Sequence, residues 1–259
     1  MSANSINPAD QDGKRIVRTL SVAAPAYNEC AGIERVVGDW LTYLRSVDHL
    51  ENFEIVVCND GSKDDTGAIL DRIAAANPEL KPVHLTKNQG AAAALTQAIA
   101  STTGGWVLLI DSDGQFPIEN LPAMVSAIGA TGKQAAIGVR QKKDSAFARF
   151  GTWSSGALCN LFHGSHYRDF NSAFKLVAGP LIRAIPLEAK GLNYSTEITS
   201  RLLERGATLA EVEIEHRPRI AGTSSMKLVR GSIHRVLFVF YIGVRQLLLG
   251  MQILQRPTL

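Results

Sequence analysis

The chain sets two carboxylates one residue apart at the end of an apolar run, in Trp106-Val-Leu-Leu-Ile-Asp111-Ser-Asp113-Gly-Gln115. In an extended backbone, side chains at i, i+2 and i+4 share a face, so Asp111, Asp113 and Gln115 are expected to converge while Ser112 points away. Three hard oxygen donors suit Mg2+ or Mn2+, which takes one or two protein carboxylates and fills its remaining positions with substrate phosphates and water. The chemistry implied is capture of a diphosphate through a divalent cation. Two acids after a strand are also ordinary turn residues, and this segment alone leaves that plainer reading open.

Three more polar clusters occupy comparable positions. Ala24-Pro-Ala-Tyr-Asn28-Glu29 follows the apolar run Thr19 to Ala24, Asn59-Asp60-Gly61-Ser62 follows Phe53 to Cys58, and Asn88-Gln-Gly90 follows Pro82 to Leu85. These runs, with Trp106 to Ile110 and Ala135 to Val139, are short and rich in Val, Ile and Leu, and they alternate with helical patterns. Such alternation predicts βαβ units and a mostly parallel sheet flanked by helices. Ile33, Val36, Val37, Trp40, Leu41 and Leu44 form one apolar helical face. Asp64, Asp65 and Thr66 supply first-turn acids or a cap for a second helix with Ile69, Leu70 and Ile73 on its buried stripe. The small residues of Gly90-Ala-Ala-Ala-Ala94 open a third helix that can approach the sheet or a ligand closely. Helical stretches follow around Phe147 to Phe162 and Thr196 to Glu204, and strand-like runs at Ala173 to Val177 and Leu209 to Ile214. Open parallel sheets bind ligands beyond the carboxyl ends of their strands, where all four clusters stand.

At 259 residues, with 46% apolar and 20% charged residues, the composition is that of a globular protein with a sizeable core. The first fifteen residues carry neither an apolar period nor a signal-peptide layout, so residues 1–15 are expected to be flexible and the protein cytosolic. Cys30, Cys58 and Cys159 are odd in number and lack metal-ligand spacing, consistent with reduced thiols. The net charge of +3 hides an asymmetry, because His216 to Leu259 contains seven Arg or Lys and no acid. That segment also holds Val236-Leu-Phe-Val-Phe-Tyr-Ile-Gly-Val244. Its nine residues between Arg235 and Arg245 are too few to span a bilayer, which takes about 20. A basic amphipathic tail at 229–259 is therefore expected to lie at a membrane surface or against a partner, with core packing as the competing reading.

The ordered set Pro25-Ala-Tyr27-Asn28-Glu29, Asp60-Gly61-Ser62, Asn88-Gln-Gly90 and Asp111-Ser-Asp113-Gly-Gln115 resembles family 2 glycosyltransferases of the GT-A (Rossmann-like) fold. The likeness is greatest to polyprenyl-phosphate sugar synthases of the dolichol-phosphate mannose synthase type, and it spans about residues 18–228, within a domain drawn at 16–228. The resemblance implies that Pro25, Tyr27, Glu29, Asp60, Ser62, Gly90, Asp111 and Arg219 contact a nucleotide-diphosphate sugar, and that Asp113 and Gln115, with Asp111 beside them, hold Mg2+ or Mn2+. It also implies that Arg140, Arg149 and Lys175 hold the phosphate of a polyprenyl lipid and that transfer inverts the sugar's anomeric configuration; the basic apolar tail is expected to make the enzyme peripheral at the cytoplasmic membrane face. Two positions depart from the family pattern: Ser172-Ala-Phe-Lys175 stands where Ser-Gly-Phe-Arg is usual, and Asn59 replaces a common Asp. Gly222 and Ser224 fall in a segment that the resemblance makes a flexible closure over the diphosphate.

Rival chemistries leave different marks. Transfer to a sugar hydroxyl needs a carboxylate base, for which Glu197 and then Asp169 are the candidates. A catalytically silent nucleotide-sugar-binding module has no need of Asp111, Asp113 and Gln115 together. A dinucleotide oxidoreductase would show Gly-x-Gly-x-x-Gly where Pro25-Ala-Tyr27 stands, and Gly61-Ser-Lys63 has the wrong order for a P-loop. Nucleic acid is not an expected partner, since the basic tail is too apolar.

Overall fold

The computed structural model of the chain describes residues 14–140, 146–189, 193–218 and 228–254. Seven strands run in the order β3-β2-β1-β4-β6-β5-β7: β1 (Thr19–Ala26), β2 (Asn52–Asn59), β3 (Leu80–His84), β4 (Trp106–Leu109), β5 (Ala135–Arg140), β6 (Lys175–Ala178) and β7 (Leu209–Ile214). The five sequence-derived runs and the two later ones each contain or overlap one of these strands. β1 pairs in parallel with β2 and β4, β2 with β3, and β5 with β7. β6 lies antiparallel between β4 and β5, with Lys175 opposite both Leu109 and Ile137. The sheet is thus mixed, and its one reversed strand brings Lys175 to the carboxyl edge where the parallel strands end. Pro82 is tolerated inside β3 because β3 is an edge strand.

Helices cover both faces, and the apolar alternation of each strand divides its side chains between them. On one face α1 (Ile33–Arg45) and α4 (Leu121–Thr131) pack on Leu20, Val22, Val57, Leu108 and Leu176. On the other, α3 (Ala91–Ala100), α6 (Gly179–Arg183) and α7 (Tyr194–Glu204) pack on Ala23, Val56, Val107, Leu109 and Ile137. α2 (Thr66–Ala76) lies against β3. All six expected apolar residues of α1 are buried. The alanines of α3 bring it directly onto β1 and β2.

Two further helices, α5 (Ala146–His163) and α8 (Leu228–Gly250), pack on each other around a small cluster of Cys159, Phe170, Val239 and Ile242. A Cβ on Gly243 would lie 2.7 Å from the Phe162 ring, so α8 seats closely there. The tail is therefore in part a core element. Among the described residues no helix is long and apolar enough to cross a membrane.

At the amino edge of the sheet, Glu54 is a buried anchor. It accepts from the Ser21 hydroxyl at 2.6 Å, the Thr103 N–H at 2.5 Å and the Lys81 ammonium at 2.5 Å. Burial alone would raise its carboxyl, but Lys81, Ser21 and Thr103 outweigh burial and hold it down at about 2. The folded value lies below the ordinary 4.5, so this stabilisation is complete above pH ~4.5 and is lost as pH falls towards ~2. Glu54→Gln is expected to lower unfolding free energy by about 1–3 kcal/mol at neutral pH. In urea titrations the gap from wild type should close as pH falls from 5 to 2; a constant gap would show that the carboxylate's charge is not its source.

Candidate active site

The carboxyl ends of β1, β2 and β4, together with the β3–α3 loop, form one polar edge, and the four sequence clusters meet there. The first two loops are laced together. The Asn28 N–H donates to the Ser62 hydroxyl at 3.0 Å, the Lys63 N–H to the Asn28 side-chain oxygen at 2.9 Å, and the Glu29 N–H to the Thr66 hydroxyl at 2.8 Å. Asn28 itself takes φ +54°, a conformation that Asn tolerates better than most residues. Asp64 accepts from both the N–H and the hydroxyl of Thr66, so it is the member of the expected acidic cap that engages the start of α2.

Asp60 is buried, and its carboxylate shapes the third loop. It accepts from the Gln89 N–H at 2.7 Å, the Gly90 N–H at 2.8 Å and the Asn88 amide at 3.0 Å. Gly61 is required beside it on two counts: its φ is +62°, and a Cβ would fall 2.5 Å from the Lys87 carbonyl carbon. Asn59 donates to Nδ1 of His84 at 3.1 Å and accepts the Ser62 N–H at 3.0 Å. Pro25 and Tyr27 are half-buried along the same edge.

The metal candidates converge by a different route from the one expected. β4 stops at Leu109, and Asp111 to Gln115 form a turn with Gly114 at φ +75° instead of a continuing strand. The Gln115 N–H donates to Asp113 at 3.0 Å, which holds these two donors together. Ser112 does point away, donating to the Pro25 carbonyl at 2.7 Å and tying this turn to the first loop. The Gln115 amide nitrogen faces the Arg217 carbonyl at 3.5 Å, so its oxygen is the atom that could serve a cation.

Asp111 accepts from the Tyr194 hydroxyl at 2.5 Å. Burial first, then the Asp111 and Asp113 charges, raises the Tyr194 phenol well above its ordinary value, so it stays protonated and donates. Among the described residues no three His, Cys, Asp or Glu form a metal cage. Two carboxylates and an amide oxygen fit instead a hard divalent cation that draws the rest of its shell from a diphosphate and water.

The acceptor-side candidates separate. Arg140, at the end of β5, makes a two-pronged ion pair with buried Asp169, at 2.8 and 3.0 Å. Lys175 has no exposed surface, and its ammonium donates to the Ser172 and Ser195 carbonyls. Burial pushes it down to about 7; Asp169 and Asp111 oppose that and Arg140 adds to it. Lys175 thus lies between the Asp111 turn and the Arg140–Asp169 pair. As placed, its ammonium contacts protein carbonyls and is sealed from any phosphate in solvent. Arg149 is carried on α5. Arg219, Gly222 and Ser224 lie outside the described residues, as do residues 1–13.

Glu197 sits one turn into α7, 1% exposed, accepting from the Glu188 and Ala189 N–H groups and from Arg201 at 3.1 Å. It is a structural anchor as placed, with the geometry of a buried ion pair and none of a proton acceptor facing a ligand. Arg245, which bounds the apolar run of the tail, pairs with Glu204 at 3.0 Å. Tyr194 was not legible as a site residue. It reads as one apolar position at a helix start, and only the fold carries it to Asp111.

Comparison with known proteins adds to this geometry. Residues 21–186 match a family model described as glycosyl transferase family 2. The chain is 28% identical over 218 residues to the glycosyltransferase AglD of Haloferax volcanii, covering 82% of this chain and 35% of that protein. It therefore spans about a third of that relative's length. It is 28% identical over 224 residues to a polyprenol monophosphomannose synthase of Mycolicibacterium smegmatis, covering 81% of each. Glucosyl-3-phosphoglycerate synthase of Mycobacterium tuberculosis, solved with Mn2+, uridine-diphosphate-glucose and phosphoglyceric acid, shares the fold. The TM-score is 0.68 at 21% identity over 95% of this chain and 85% of that one.

Proposed function

Since the chain belongs to glycosyl transferase family 2, we propose that it transfers a sugar from a nucleotide-diphosphate sugar to the phosphate of a polyprenyl lipid, with inversion at the sugar. The observation that carries this reading is antiparallel β6. It sets Lys175 between the turn bearing Asp111 and Asp113 and the strand end bearing Arg140, which supports a reading in which donor and acceptor groups meet along one edge. Relatives named for polyprenyl-phosphate sugar transfer support the acceptor class.

In this reading Pro25, Tyr27, Glu29 and Ser62 border the nucleotide, while Asp60 and Gly90 hold the loop beside it. Asp111, Asp113 and Gln115 hold Mg2+ or Mn2+ on the diphosphate. The bound cation would neutralise charge developing on the departing diphosphate. Arg140 and Arg149 contribute positive charge towards the acceptor phosphate, Arg219 contacts the donor, and Lys175 braces the wall between the two halves. A phosphate oxygen is already largely ionised near pH 7, so the acceptor needs no strong base. Positioning and charge complementarity then supply the rate. Transfer to a sugar hydroxyl is less favoured, because Glu197 and Asp169 are both buried in ion pairs.

Contact with the cytoplasmic face of a membrane belongs to the same reading. α5 leaves Trp153 and Leu161 66% and 74% exposed, and α8 leaves Leu237 and Phe240 61% and 67% exposed. An apolar surface on these two helices, α8 lying in the basic, acid-free segment, suits an anionic bilayer.

Calorimetric titration of UDP- and GDP-sugars with and without Mn2+ should find one nucleotide whose binding the metal strengthens. Vesicles holding anionic lipid and polyprenyl phosphate should then retain the protein and yield a sugar-lipid product. Product on a soluble sugar alone would overturn the lipid acceptor, and absence of any nucleotide binding would overturn the transferase reading.

A further inference from the structure

The Asp111–Tyr194 contact joins groups 83 residues apart, and nothing in the donor-site motifs requires it. We propose that Tyr194 is a positioning residue for Asp111, its hydroxyl fixing how that carboxylate is turned towards the cation and diphosphate. This rests on the donor-site reading above.

A carboxylate on a turn keeps rotational freedom about its side-chain bonds, and ligand acids in such places depend on a second hydrogen bond for orientation. Asp111 lies two residues past the last residue of β4, where the sheet ladder no longer constrains it. A short O–H···O− bond is charge-assisted and directional, so it can supply that constraint.

Tyr194 is itself immobilised. It is buried as the first residue of α7, and the residues after it are tied to the Asp169–Lys175 loop. The Ser195 hydroxyl donates to the Asn171 carbonyl at 3.1 Å, the Thr196 hydroxyl to the Asn171 side chain at 2.7 Å, and the Thr199 hydroxyl to the Phe170 carbonyl at 2.9 Å. Lys175 adds its bond to the Ser195 carbonyl at 3.0 Å. The 169–175 segment, which ends in Lys175, is thus the clamp that fixes the start of α7. A buried phenol needs some acceptor in any case. A purely structural hydroxyl, however, would affect stability alone, whereas a positioning hydroxyl would affect metal-dependent binding through Asp111.

Tyr194→Phe separates the two, because it keeps the ring that packs in the core and removes only the donor. Mn2+ is titrated into protein saturated with the nucleoside diphosphate that wild type binds, and the same nucleotide is titrated without metal. Tyr194→Phe is expected to weaken Mn2+-dependent binding by about tenfold and to leave metal-free nucleotide affinity unchanged. In an Asp111→Asn background it should add less than about a twofold change, as a residue acting through Asp111 must. Ser200→Ala, on the same helix as Tyr194 and removing the bond to His163 of α5, should bind Mn2+ as wild type does. The proposal is overturned if Tyr194→Phe binds Mn2+ like wild type, if its effect persists undiminished without the Asp111 carboxylate, or if Ser200→Ala is equally impaired. Wild type that binds no Mn2+–nucleotide pair would overturn the donor-site reading and this inference with it.

Discussion

Asp113→Ala should abolish metal-dependent nucleotide binding and lower sugar transfer by at least about 10²- to 10³-fold, the scale on which one preorganised charge-stabilising group acts. Asp113 is 8% exposed and does two things at once. In the proposed site its carboxylate is one of two acids on the diphosphate, and it also accepts the Gln115 N–H at 3.0 Å, which closes the turn on Gly114. Alanine removes both, so Gln115 loses its fixed position along with the missing ligand. Asp113→Asn keeps an acceptor for the Gln115 N–H and loses the charge, and should fall between wild type and alanine. Calorimetry with Mn2+ measures the binding, and single-turnover transfer from the bound sugar nucleotide measures the chemistry. An alanine variant that binds nucleotide with wild-type metal dependence would remove Asp113 from the site.

Arg201→Met should produce the largest loss of stability of any single change considered for this chain, about 3–5 kcal/mol, the cost of leaving a buried carboxylate without its counter-charge. The guanidinium is 2% exposed and reaches Glu197 at 3.1 Å, Glu188 at 3.0 Å and Glu204 at 3.3 Å. Burial works against its charge, and Glu204 and Glu197 outweigh burial and keep it charged. The same carboxylates receive α8, through Arg245 and Gln246 on Glu204 and the Tyr241 hydroxyl on Glu188. Removing Arg201 therefore leaves buried Glu197 without its guanidinium partner and Glu204 with Arg245 as its remaining cation, and it loosens the seat of the tail helix. Melting should fall by roughly 10 °C, given ~2–4 °C per kcal/mol at this chain length. Arg201→Lys should recover little, because an ammonium lacks the planar fork that serves several carboxylates together. A loss below about 1 kcal/mol would mean that water reaches the network and solvates it.

The site was legible to different depths. Asp60-Gly61-Ser62 and Asn88-Gln-Gly90 were readable because turn chemistry is written in a few adjacent residues, and both loops stand where the strand runs end. The convergence of Asp113 and Gln115 was anticipated, but through strand alternation. A glycine in the left-handed region brings them together instead, since β4 has already ended. Lys175 and Glu197 show the opposite limit. Each was read as a charged group available to a ligand, and each is sealed inside, because burial depends on what packs over a residue and not on its neighbours in the chain.

By itself the sequence determined the alternation of strands and helices, the four polar loops at one edge, and the amphipathic tail. These follow from periodicity and turn preferences that act over a handful of residues. Only the tertiary structure decided that β6 runs backwards between β4 and β5, that Tyr194 meets Asp111 across 83 positions, and that Arg201 and Arg245 lock α7 to α8. Those outcomes are set by which surfaces bury one another, and a buried charge or hydroxyl takes whatever partner the packing brings within reach.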